Sequence, residues 1–235
     1  TIFEILKKMD NNDEFKRRIC NEAETLVKDF LPRKITEYDS LLQENDFNLV
    51  NIFEVKSSTI ESLKDLDQSK ENTLESGETN SSSKPERVFA TNEYITRLVD
   101  RLKPEIITLL EAVGTLRMWV ILLIPKIEDG NNFGVEVQEE TLGELKTVEQ
   151  ELASNQEQIA GYFLSRAKVI SQLCKRPGVQ DYKRFVEEED EKQFVSMRLM
   201  VAELRNACSS LHDLINKNID KIKTPRNRNT MSSIY

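Results

Sequence analysis

The chain has 235 residues, 38% of them hydrophobic and 31% charged, with only seven Gly and six Pro. That length supports a sizeable core, and scarce breakers with abundant charge suit long helices whose outer faces are solvated. A net charge of −8 argues against duplex nucleic acid or an anionic membrane surface as the main partner.

Residues 1–12 form an N-terminal segment in which Thr1 to Lys8 is charged and amphipathic, unlike a secretory signal. A first helix is expected from about Asp13 to Gln43, with Phe15, Ile19, Ala23, Leu26, Val27 and Phe30 on one stripe. Pro32 should kink or restart it, after which Ile35, Tyr38 and Leu42 continue the face; residues 13–55 together make the first bundle region. Residues 56–90 read as a flexible polar insert, because Lys56 to Arg87 is rich in Ser, Glu, Lys, Asn and Thr with scattered leucines, too little apolar surface to offset ordering entropy. A short helical turn from Thr59 to Leu66 is the alternative.

Residues 91–223 carry three more helices by apolar periodicity. The second spans about Asn92 to Ile124, through Leu98, Leu102, Ile106, Leu109, Val113 and Leu116, with a bend expected at Pro104. The third spans about Glu136 to Lys175 and stops at Pro177-Gly178. The fourth starts at a capping Asp181 and ends at Lys223 before Thr224-Pro225. Four such rods in sequence predict an all-α, four-helix bundle. The pairs Leu109-Leu110 and Trp119-Val120, and the run Leu199-Met200-Val201, widen the apolar stripes beyond one face, which burial against neighbouring copies of the chain would explain. No stretch is expected to reach the roughly 18 apolar residues of a membrane span.

Catalytic constellations are missing. His212 is a lone histidine without a nucleophile motif, the acidic run Glu187 to Asp190 reads as a solvated helix face, and there is no P-loop, GxGxxG or HExxH. No cofactor or metal is implied. Cys20, Cys174 and Cys208 are widely spaced; an odd, sparse count fits a reducing cytoplasm or nucleus, with each thiol a small buried apolar group.

Two features resist a purely structural reading. Between helices two and three lies a non-helical loop from Lys126 to Gly134, preceded by Pro125. Gly130 and Gly134 permit positive φ, Asp129, Asn131 and Asn132 can bond their own backbone, and Phe133 is a candidate internal anchor. An ordinary tight connector is the plainer alternative, although helix–helix connections need only about 2–8 residues and no aromatic. The second feature is the tail, residues 224–235, which ends Ser233-Ile234-Tyr235. An apolar-aromatic pair at a free carboxylate suits a pocket, whereas a frayed terminus is the alternative.

At these residues the sequence resembles the ATP-independent 11S proteasome activators, the REG group. The resemblance rests on Met118 to Val120, Leu122 to Pro125, Ile127 to Val135 followed by Gln138-Glu139-Glu140, Arg198 to Asn206, Leu211 to Asp213 and Lys217 to Lys223. Leu145 to Glu149, Ser165 to Lys168 and the Leu211 run make it most similar to the gamma-type subunit. The resemblance implies a heptameric ring that binds the α-subunit ring of the 20S proteasome. Ser233, Ile234 and Tyr235 would dock, and Lys126, Ile127, Glu128, Asp129, Gly130, Asn131, Asn132, Phe133 and Gly134 would form the activation loop that opens the gate. It also implies a regulator rather than an enzyme, with residence in the cytoplasm and/or nucleus. The insert lacks the basic cluster read as a nuclear signal in gamma-type relatives, which counts against the nucleus. A helical scaffold without gating activity is the competing reading.

Overall fold

The computed structural model describes residues 2–71 and 90–226, and the side chains of all of these except residues 2–11 and 65–71. Among the described residues every regular element is helical. Helix α1 (Ile2–Thr25) passes through a π turn (Leu26–Phe30) into α2 (Leu31–Gln43), followed by two 3₁₀ turns (Asn45–Phe47 and Leu49–Asn51) and α3 (Ile52–Glu71). Then come α4 (Glu93–Leu123), α5 (Phe133–Lys175) and α6 (Gln180–Lys223).

Several expectations need correction. Helix begins at Ile2, so residues 1–12 are no separate segment. Pro32 does not break the first helix; it sits just after the π turn, where Leu31 N–H bonds Leu26 O. Proline has no N–H for the carbonyl four residues back and its ring clashes with it, and one wider turn absorbs that misfit. The first sixteen residues of the expected insert, 56–71, belong to α3. Their buried face is Val55, Thr59, Ser62 and Leu63, spaced four, three and one apart as on a helix; counting large apolar residues alone overlooks it. The rest of the expected insert to residue 89 lies outside the described residues. Asp181 sits in the first turn of α6 rather than at its cap.

The chain divides into two compact units, residues 1–40, 105–154 and 202–235 in the first and residues 41–104 and 155–201 in the second. Each is a bundle of four helical segments. In the first unit, Ala23, Val27 and Leu31 of the α1–α2 region, Leu109, Val113, Leu116, Trp119 and Val120 of α4, Leu145 of α5 and Leu204, Leu211 and Ile215 of α6 are buried. Lys34 is buried with them and bonds Glu105 Oε2 at 2.6 Å. Cys208 is fully buried and burial pushes its thiol up to about 12, whereas Cys20 is only half-buried. Trp119 and Val120 thus both belong to this core and contribute no outward surplus. The exposed apolar stripe on α4 is instead Ile107, Met118 and Ile121.

The second unit packs Leu63 of α3 against Ile170 and Leu173 of α5 and Val186 of α6, with half-buried Cys174 alongside. Tyr94 and Phe194 meet edge to face at 5.9 Å. Its centre holds a polar hub built on Asp190, which is wholly buried. Asp190 Oδ1 accepts from Tyr162 Oη at 2.8 Å and Arg166 Nε at 2.9 Å, and Oδ2 accepts from Thr59 Oγ1 at 2.8 Å and Asn92 Nδ2 at 2.9 Å. Burial, and then the Asp190 charge, push the Tyr162 hydroxyl above the usual phenol range. Asp190 is therefore no part of a solvated acidic face; α6 turns it inward while Glu188 stays exposed.

Helix α4 has an 18-residue window of mean hydropathy 1.9, long and apolar enough by composition to cross a membrane, which corrects the expectation that no stretch approaches that limit. Of that window 39% is buried, Ile106, Leu109, Val113, Leu116 and Val120 among it, while Ile107, Met118 and Ile121 stay exposed: α4 is a core helix on one face and carries a second, uncovered apolar face.

Candidate activation loop and the root of the tail

Helix α4 ends at Leu123 because Pro125 disfavours helical backbone at Ile124. Residues 124–132 are irregular and α5 starts at Phe133, so the loop closes two residues earlier than Gly134. Gly130 has φ of +130°, a conformation only glycine adopts without strain. Asn131 Oδ1 accepts from Phe133 N–H at 3.0 Å, a local turn bond. Asn132 O accepts from Val135 N–H at 2.8 Å and Glu136 N–H at 3.0 Å, which begins α5. Glu136 then lies in the first helical turn, where a carboxylate complements the helix dipole.

Phe133 is no internal anchor: it is 58% exposed on the first turn of α5, with Lys221 Nζ over its ring at 5.9 Å. Gly134 has no positive φ. Its value is closeness: a Cβ there would stand 2.1 Å from Pro225 O and 2.5 Å from Pro225 Cα, so only glycine lets the chain leaving α6 cross the start of α5. Ile127 is fully exposed at the loop's tip, and Lys126, Glu128, Asp129, Gly130, Asn131 and Asn132 are exposed around it.

Two residues that sequence reasoning did not single out as site residues tie this region together. Gln138, fully buried on α5, donates from Nε2 to Leu123 O at 3.2 Å and Ile222 O at 2.8 Å. One amide thereby satisfies carbonyls at the C-terminal ends of α4 and α6, which have no partner within their helices. Arg226, just past α6, reaches into the loop. Its Nη1 donates to Lys126 O at 2.8 Å and Glu128 Oε2 at 3.2 Å, and its Nη2 donates to Glu128 O at 3.2 Å and Asn132 Oδ1 at 2.8 Å. The last turn of α6 is held in addition by Lys223 Nζ to Glu24 Oε1 at 2.6 Å, and that bond to Lys223 holds the Glu24 carboxyl below the usual range. Gln138 stood in the quoted family motif and Arg226 in a polar tail; neither carried a signal of its partners, which lie 15 to 100 positions away in sequence.

His212 faces Asn216 at 2.8 Å, and among the described residues no group of three or more His, Cys, Asp or Glu could hold a metal. Ser233, Ile234 and Tyr235 lie outside the described residues.

Comparisons with known proteins agree on one family. Residues 8–59 match the model "Proteasome activator PA28, N-terminal" and residues 88–232 match "Proteasome activator PA28, C-terminal". The chain is 42% identical over 234 residues to "Proteasome activator complex subunit 3" of Gallus gallus and of Homo sapiens, covering 92% of each chain; subunit 3 is the gamma type. Among solved structures, the 11S subunit of the Plasmodium falciparum proteasome, PA28, aligns with TM-score 0.74 at 26% identity, covering 94% of this chain and 95% of that one. A chain of a proteasome-11S activator complex shares the fold, with TM-score 0.55 at 15% identity over 90% of this chain and 95% of that one. These relatives are named regulators, not enzymes. The chain belongs to the proteasome activator PA28 family.

Proposed function

We propose that the chain forms a homoheptameric ring that binds the α-subunit ring of the 20S proteasome through its C-terminal tails. In this reading Ser233, Ile234 and Tyr235 dock, and the loop 126–134 opens the gate, so that peptide hydrolysis rises without ATP. The observation that carries the proposal is the loop itself: a glycine-dependent turn with Ile127 fully exposed, bonded through Arg226 to the start of the tail. A tip of that shape can contact an open gate differently from a closed one, and a differential contact is what shifts such an equilibrium. Tails presented together gain avidity because each later docking is intramolecular. The exposed stripe Ile107, Met118 and Ile121 on α4 supports self-association, since apolar rows at helical spacing are better covered than wet. Residence in the cytoplasm and/or nucleus goes with this reading.

The test is a titration of purified 20S proteasome with the chain, following a fluorogenic peptide without ATP. Saturable stimulation is expected, and a chain lacking Ile234 and Tyr235 should need a much higher concentration while keeping its native mass. Absence of stimulation at every concentration would favour the scaffold reading.

A further inference from the structure

Loop and tail root are joined chiefly by one side chain. Arg226 is about three-quarters buried, at 24% side-chain exposure, while its partner Glu128 is 68% exposed. An exposed ion pair of that kind contributes little by itself. The other acceptors are what matter: two backbone carbonyls, at Lys126 and Glu128, and the side-chain amide of Asn132. They lie on both sides of Gly130, so one planar guanidinium spans the turn and fixes both its limbs. A guanidinium presents its donors in a rigid fork, which an ammonium cannot reproduce. The same stretch is fixed to the bundle by the Gly134–Pro225 crossing and by Gln138. Arg226 is thus a joint between a turn and the residues that lead into the tail.

We propose that Arg226 is a positioning residue for gate opening: from the root of the tail it sets the shape of the loop. This rests on the proposed activator function. Arg226 need not touch the proteasome; it acts through Lys126, Glu128 and Asn132.

The test separates binding from activation. Full-length Arg226→Ala and Arg226→Lys are titrated into 20S proteasome, reading half-saturating concentration and maximal stimulation independently. Loss of the fork should lower maximal stimulation by about tenfold, the equivalent of about 1.4 kcal/mol, with little change in half-saturation or in Tm. Asn132→Ala should give a partial loss, and the double variant should be no worse than Arg226→Ala, because the two residues share one interaction. A second readout does not depend on the proteasome: tryptic cleavage after Lys126 should be about tenfold faster in Arg226→Ala, because the fork no longer holds Lys126 O and Glu128 O in the turn. Wild-type maximal stimulation in Arg226→Ala, or full rescue by Lys, would overturn the positioning role. Unchanged cleavage at Lys126 would overturn the shaping role even if the activator reading itself failed, and a wild-type chain that does not stimulate would sink that reading without touching the cleavage result.

Discussion

The Asp190 hub and the Arg226 joint are opposite solutions to placing a charge. Asp190 is a wholly buried carboxylate surrounded by donors from Thr59, Asn92, Tyr162 and Arg166. Arg226 is a partly exposed guanidinium surrounded by acceptors from a single loop. The first gathers α3, Asn92 at the start of α4, α5 and α6 into one unit. Its bonds are satisfied in a low dielectric, so removing Asp190 or Arg166 strands the other as a buried charge. The second holds nine residues that bury almost nothing, and its bonds compete with water. A centre of the first kind specifies a fold, whereas one of the second kind specifies the conformation of a surface, which is what a gate-contacting loop needs.

That contrast can be broken experimentally. The largest expected effect is at the hub: Asp190→Ala should lower unfolding free energy by about 3–5 kcal/mol, because Arg166, only 4% exposed, loses its counter-charge. Urea denaturation measures it, and a loss below about 1 kcal/mol, the range of an exposed pair, would mean that the hub is no more than surface electrostatics. Gln138→Ala should cost less, about 1–2 kcal/mol, since two helix-end carbonyls lose a donor near solvent-accessible turns. Its more telling consequence is faster hydrogen exchange at the ends of α4 and α6. If only global stability fell, the amide would be ordinary packing. Arg226→Ala completes the series with scarcely any loss of stability and a large loss of activation.

The four long helical tracts were legible because apolar residues recur every three or four positions. The second expected helix, about Asn92 to Ile124, is α4 at Glu93–Leu123, and the fourth is α6 with its start one residue earlier. What stayed hidden were polar residues whose partners are distant in sequence. Thr59 and Ser62 look like solvent-facing insert residues until Asp190 and Arg166 come within bonding distance. Asp190 itself follows three glutamates, and a run of acids has no feature that marks which member turns inward. The loop was legible as a loop from Pro125 and Gly130, but Gly134 was read for its dihedral freedom when its role is the near contact with Pro225. Arg226 was one of several polar tail residues, and nothing local distinguishes it.

In the proposed function the turn at Gly130, once bound to the proteasome, is what opens the gate. Gly130→Val tests it most directly, because φ of +130° is closed to a β-branched residue. The measurement is peptide hydrolysis by 20S proteasome at saturating wild-type chain, challenged with increasing amounts of the variant. Gly130→Val should compete for the proteasome and drive hydrolysis down towards the basal rate. Full stimulation by the variant alone would contradict it.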